Sequence, residues 1–264
     1  MKRTALVAFL ALAFCVSGFA RSKGALVIVG GGGTTDAIVT RTLELAGGRR
    51  AAVVVLPQSS TLEGAGDRSV KMWLDAGATS AKTVGFKDPG ARAALEAATL
   101  IWIPGGDQNR FMQAIEDTGM DEVIRTAYRN GAVVGGTSAG AALMAEWMMT
   151  GDADLQALVA GRTVLKKGLA LWPGALIDQH FLTRQRTNRL LSAVMERPTL
   201  VGVGIDEATA VIVRGQRIDV MGRSAVVIFD ARGAKVERIE PGDNTAGTNV
   251  KLSVLREGMS YSLK

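Results

Sequence analysis

Short apolar runs alternate with longer amphipathic stretches from residue 25 to residue 195. The runs Ala25–Val29, Ala51–Leu56, Leu100–Ile103 and Ala132–Gly135 are rich in Val and Ile and are bounded by Gly or Pro. They are too short for helices and too continuously apolar for half-exposed strands, so they read as strands buried on both faces. Between and after them, apolar spacing predicts helices at Asp36–Leu45, Ser69–Ala76, Phe111–Tyr128, Ala139–Met149 and Arg184–Met195. Buried strands alternating with helices imply βαβ units, and so an α/β fold: a three-layer αβα sandwich around a mainly parallel sheet.

After Glu196 the texture changes. Val201–Ile205, Ala210–Val213, Arg217–Val220 and Ala225–Phe229 follow one another closely, with Gly-rich turns between them. They read as further strands, some antiparallel, extending the same sheet. No low-complexity linker, internal repeat or charge block divides residues 21–264, which are expected to form a single domain.

The N-terminus changes the picture. Lys2 and Arg3 precede an apolar run from Ala5 to Val16, and small residues follow as far as Gly18-Phe19-Ala20. A charged start, a short apolar core and an A-x-A-like end describe a cleavable secretory signal over residues 1–20. The run is shorter than the roughly 20 apolar residues of a membrane span, so no stable membrane anchor is expected. The expected location is periplasmic or extracellular. Cys15 is the only cysteine and lies inside this signal, so cleavage near Ala20 would leave no thiol. That excludes a cysteine nucleophile and thiolate metal sites. With a single histidine, a His-rich catalytic zinc site is excluded too, and neither metal nor cofactor is expected. Losing Lys2 and Arg3 lowers the formal charge from +6 by two to +4, spread along the chain. Nucleic acid is not an expected partner, whereas carboxylate-bearing substrates suit a mild positive excess.

In open parallel sheets ligands bind beyond the carboxyl ends of the strands, and Gly30–Thr35, Pro104–Arg110 and the segment around Ser138 leave such ends. The Gly30–Gly33 run suggests a dinucleotide fingerprint, but Thr35 stands where its third glycine belongs; a tight strand-to-helix turn explains it as well. Gly136-Thr137-Ser138-Ala139-Gly140 fits a nucleophile elbow, in which a serine hydroxyl is exposed on a sharp turn between strand and helix. The Ala139 N–H and the following helix dipole would then face an oxyanion. Gly105-Gly106 offers further backbone N–H groups to such a site, or is an ordinary turn before an Asp-capped helix. A serine nucleophile needs a base, and His180 is the only imidazole. The acid that would orient it stays open among Asp152, Asp154, Asp178, Asp206 and Glu207; the order Ser, acid, His would favour the first three. Arg184, Arg186 and Arg189 follow His180 closely and suit carboxylate recognition, or form a solvated helix face.

Four segments together resemble the cyanophycinases, within the serine-peptidase family that also holds the aspartyl dipeptidases. They are Ile103-Pro104-Gly105-Gly106-Asp107-Gln108, Gly135 to Ala141, Asp178-Gln179-His180-Phe181 with its trailing arginines, and Gly202 to Ala210. The resemblance implies a class I glutamine-amidotransferase-like (flavodoxin-like) sandwich with serine where amidotransferases use cysteine. It implies Ser138 as nucleophile, His180 as base and Glu207 as orienting acid. Backbone N–H groups of Ala139 and Gly106 would form the oxyanion hole, and Gln108, Asp178, Gln179, Arg184, Arg186 and Arg189 would line the substrate site. Phe181-Leu182-Thr183 is less polar than in many relatives. The implied activity is exopeptidase release of β-aspartyl-arginine dipeptides from cyanophycin, a poly-aspartate backbone carrying arginine on each β-carboxyl. Alternatives are an aspartyl-dipeptidase-like hydrolase with another aspartyl peptide, or an inactive binding module. The expected partner is the aspartyl-peptide or cyanophycin substrate; a homodimer stays open.

Overall fold

A computed structural model describes residues 24–153, 158–237 and 240–263. The proposed signal over residues 1–20 and Asp154 lie outside them. In chain order the first elements are β1 (Leu26–Val29), α1 (Asp36–Leu45), β2 (Ala52–Val55), α2 (Asp67–Asp75), β3 (Ser80–Thr83), α3 (Ala91–Ala97) and β4 (Leu100–Ile103). Next come α4 (Gln108–Ile115), α5 (Met120–Arg129), β5 (Val133–Thr137), α6 (Ala139–Ala142), β6 (Trp147–Ala153), β7 (Thr163–Lys167), β8 (Ala175–Gln179) and α7 (Thr187–Glu196). The last third holds β9 (Val201–Ile205), β10 (Thr209–Arg214), β11 (Arg217–Gly222), β12 (Val226–Asp230), β13 (Lys235–Val236), β14 (Gly247–Thr248), β15 (Lys251–Leu255) and β16 (Ser260–Ser262).

The main sheet runs β16-β11-β10-β1-β5-β4-β2-β3. Its five strands from β1 to β3 in that order are parallel, and β10, β11 and β16 add an antiparallel edge. Side chains alternate across it as strand geometry requires. Val27, Val29, Val53, Val55, Leu100 and Trp102 pack with Ile38, Leu43 and Trp73 of α1 and α2. Trp73 and Trp102 meet edge to face at 5.1 Å, an arrangement worth about 0.5–1.5 kcal/mol beyond its buried area. On the other face Leu26, Ile28, Val54, Ile101 and Ile103 pack with α3 to α6.

Three sequence expectations are corrected here. Strands β9 and β12 do not extend the main sheet. They join β8 and β15 in a second sheet ordered β15-β12-β9-β8, because β8 pairs in parallel with β9 from Ala175↔Val201 to Gln179↔Ile205. One face of this sheet (Ala175, Ile177, Val203, Ile205) joins the core against the main sheet; the other (Leu176, Val227, Phe229) is covered by Leu190 and Val194 of α7. The expected helix 111–128 breaks into α4 and α5, since Asp117 and Gly119 take left-handed φ values of 59° and 71°. The expected helix 139–149 stops at Ala142. Its next carbonyls are claimed from elsewhere in the chain: Leu169 N–H donates to Leu143 O at 2.8 Å and Trp172 N–H to Met144 O at 2.8 Å.

Candidate active site

The carboxyl ends of β1, β4, β5, β8 and β9 converge, and the site is built on the five loops that leave them. Ser138 leaves β5 with φ 55° and ψ −113°, a conformation that costs a non-glycine residue and persists only when its surroundings hold it. Its N–H donates to Val29 O of β1 at 3.1 Å. The turn can be this sharp because residue 140 is glycine: a Cβ on Gly140 would lie 2.0 Å from Ile103 O. With α6 only four residues long, the Ala139 N–H itself, and not a long helix dipole, is what this turn can offer an oxyanion.

His180 follows β8, also left-handed at φ 49°, and its N–H donates to Gly30 O at 2.7 Å. Its Nε2 lies 2.9 Å from Ser138 Oγ, and its Nδ1 lies 2.5 Å from Glu207 Oε1 beyond β9. A carboxylate only accepts, so the proton belongs on Nδ1 and Nε2 is left to accept from the serine hydroxyl. Burial pushes the imidazole pKa below the ordinary histidine value, with the Glu207 hydrogen bond opposing and the Arg184 charge assisting. The ring is therefore neutral, and competent as a base, at neutral pH. Among the described side chains Glu207 is the acid at the imidazole; the order along the chain is Ser, His, acid.

The Gly30–Gly33 run is more than a turn. Gly31 O accepts from Ala208 N–H at 2.8 Å. A Cβ on Gly31 would lie 2.2 Å from His180 Cε1, and one on Gly32 would lie 2.6 Å from Glu207 Oε2. The loop is thus a bare-backbone wall against imidazole and carboxylate. No local pattern reveals this, because the contact partners lie 149 (31 to 180) and 175 (32 to 207) residues away along the chain.

The other expected site residues separate into two groups. Asp178 and Arg189 are 0% and 2% exposed. Arg189 Nε donates to Asp178 Oδ2 at 2.7 Å, and its Nη2 donates to Asp178 Oδ1. Arg186 is buried as well: its Nη1 donates to Gln179 O at 2.6 Å and Gln179 Oε1 at 2.7 Å. Burial lowers its pKa to about 10, which leaves it charged near neutrality. Arg186 and Arg189 thus form a buried network with Asp178 and Gln179, while Arg184 is exposed beside the imidazole. Gln108 is buried too, its Nε2 donating to Met149 O at 2.8 Å.

The loop from Pro104 to Asp107 lies beside the nucleophile; a Cβ on Gly105 would sit 3.4 Å from Ser138 Cβ. The same loop is a capping turn, since Asp107 caps α4 by accepting from Asn109 N–H at 2.7 Å. Ser59, which belongs to no recognisable motif, fixes it: its hydroxyl donates toward Gly105 O at 2.9 Å, and its carbonyl accepts from Asp107 N–H at 2.8 Å. Among the described residues no group of three His, Cys, Asp or Glu side chains gathers to hold a metal ion, and no helix is long and apolar enough to cross a membrane.

Comparison with known proteins finds relatives over most of the chain. The family model of peptidase family S51 matches residues 25–221. A cyanophycinase of Geminocystis herdmanii is 33% identical over 239 residues, covering 86% of this chain and 88% of its own. One from Trichormus variabilis is 33% identical over 218 residues, covering 79% and 72%. Among solved structures, a peptidase from an acI-B1 Actinobacterium superposes with a TM-score of 0.68 at 17% identity, over 92% of this chain and 98% of that one. A putative peptidase E protein from Listeria monocytogenes gives 0.55 at 17% identity, over 77% and 100%. At that identity the two structures speak for the fold alone.

Proposed function

The chain belongs to peptidase family S51 and is a serine-type peptidase, and we propose that it hydrolyses cyanophycin or closely related β-aspartyl-arginine polymers from an end, through an acyl-enzyme on Ser138. The observation that carries the proposal is the Ser138–His180–Glu207 relay, with links of 2.9 and 2.5 Å. Ser138 Oγ attacks the scissile carbonyl carbon as its proton passes to His180 Nε2. Glu207 holds Nδ1–H and stabilises the imidazolium that forms. The Ala139 and Gly106 N–H groups receive the oxyanion. The leaving amine takes the proton from Nε2, and water, deprotonated by the same nitrogen, releases the acyl group.

Substrate class is supported by the two cyanophycinases at 33% identity and by Arg184, an exposed guanidinium beside the imidazole that can meet a substrate carboxylate. Gln108 and Gln179 border the same loops. Residues 1–20 support export, with a mature N-terminus at Arg21; intact mass of protein from a secreting host would test this, and a product retaining Met1 would oppose it.

Mass analysis of products from cyanophycin and a panel of short α- and β-aspartyl peptides tests the substrate. Stepwise release of β-aspartyl-arginine from the polymer supports the proposal. Turnover confined to short aspartyl peptides would overturn the substrate while keeping the chemistry.

A further inference from the structure

Asp206 immediately precedes Glu207, is 7% exposed, and turns its carboxylate to the loop that carries the base. Its Oδ1 accepts from Leu182 N–H at 3.1 Å, Thr183 N–H at 2.9 Å and Thr183 Oγ1 at 3.0 Å. Its Oδ2 accepts from Ser224 Oγ at 2.7 Å. Leu182 and Thr183 lie in the turn that begins at His180, where Arg184 N–H donates to His180 O at 2.9 Å. Ser224 N–H in turn donates to Thr209 Oγ1, whose hydroxyl donates to Glu207 O at 3.1 Å. One buried carboxylate thereby bolts the segment bearing the base to the segment bearing the acid.

We infer that Asp206 is a positioning residue for the reaction, holding the His180 ring between Ser138 and Glu207 through the turn 182–183. The need for it follows from the backbone: His180 is held left-handed, and such a residue relaxes when its surroundings loosen. Burial alone would raise the Asp206 pKa, but the Thr183 N–H and the Ser224 hydroxyl outweigh it and keep the carboxylate ionised. Charged acceptors make the stronger hydrogen bonds, so the turn is tied more firmly than a neutral side chain would tie it. This inference rests on the proposed relay, and its test separates the two.

The chain has a single histidine, so tag-free protein labelled with ¹⁵N-histidine reports one imidazole by NMR. Wild type should show a downfield Nδ1–H resonance from the bond to Glu207. Asp206→Ala should shift or broaden it and lower kcat by about 100-fold, the order expected of an ångström-scale misplacement, with KM within about threefold. Asp206→Asn, which keeps an acceptor, should recover part of both. Thr183→Ala removes one hydroxyl contact only, so it folds even where Asp206→Ala does not; it should shift the same resonance and lower kcat by about 2- to 13-fold. A folded Asp206→Ala or Thr183→Ala protein with the resonance unmoved and kcat unchanged overturns the inference. The relay itself fails separately if wild type shows no such resonance.

Discussion

Gly31 lies so close to His180 that a Cβ at that position would sit 2.2 Å from the imidazole Cε1, on a backbone with φ of 102°. Gly31→Ala must push the ring or bend the loop. Overpacking of this kind costs about 1–3 kcal/mol of stability, and the displaced base should cost about 100-fold in kcat. Denaturant unfolding and saturation kinetics on the same preparation check both. Unchanged kcat would mean that the ring has freedom the packing denies it.

The pH dependence follows from the buried imidazole. The base works neutral and is lost on protonation, and burial places its pKa below the ordinary value of 6.5. The rate constant kcat/KM should therefore hold through neutrality and fall only below 6.5 on the acid side. The Glu207 hydrogen bond raises that pKa, so Glu207→Gln should move the acid limb lower still. A neutral ester substrate isolates the effect from substrate charge. An acid limb above 6.5 contradicts the assignment.

Glu207→Gln should also lower kcat, by roughly 10²- to 10⁴-fold, as the imidazolium loses its partner and the ring its tautomer. Asp206→Asn should cost much less, because the amide oxygen it introduces still accepts from the turn at 182–183. The two substitutions compared at saturating substrate distinguish the acid in the relay from the carboxylate beside it.

The parallel core was legible because β1, β2, β4 and β5 are apolar on both faces. The sharp turn at Ser138 was legible because a glycine-flanked serine lies there between a β-branched strand and a helix former. What escaped were relationships between distant parts of the chain. Nothing local distinguishes Val201–Ile205 of the second sheet from a strand extending the first; its parallel pairing with Ala175–Gln179 decides that. Ala139–Met149 has the composition of a helix, yet N–H groups from Leu169, Ala170 and Trp172 claim its carbonyls. The acid stayed open because spacing cannot say which carboxylate folds onto Nδ1. Nor does the local pattern show that Arg186 and Arg189 turn inward to Asp178.

The buried pairing of Asp178 with Arg189 carries an energetic consequence. Among the described side chains, Arg189→Ala leaves the fully buried Asp178 carboxylate only its 3.4 Å contact with Arg186, and removing one partner of a buried pair typically costs about 3–5 kcal/mol. The variant should unfold at markedly lower denaturant concentration. Arg184→Ala, at an exposed position, should leave stability within about 0.5 kcal/mol. It should lower kcat/KM on the aspartyl polymer by roughly 10- to 150-fold, the worth of a partly desolvated guanidinium–carboxylate bond, and spare a neutral ester. Equal stability losses at both positions would place Arg184 in the buried network.

The central claim is that Ser138 is the nucleophile, and peptide mapping after inactivation with a fluorophosphonate tests it most directly. One adduct per chain should form, on the peptide containing Ser138, with turnover lost in proportion. Ser138→Ala should neither label nor retain more than a few per cent of activity. An adduct on another residue, or a Ser138→Ala protein that still turns over substrate at an appreciable rate, would contradict the account.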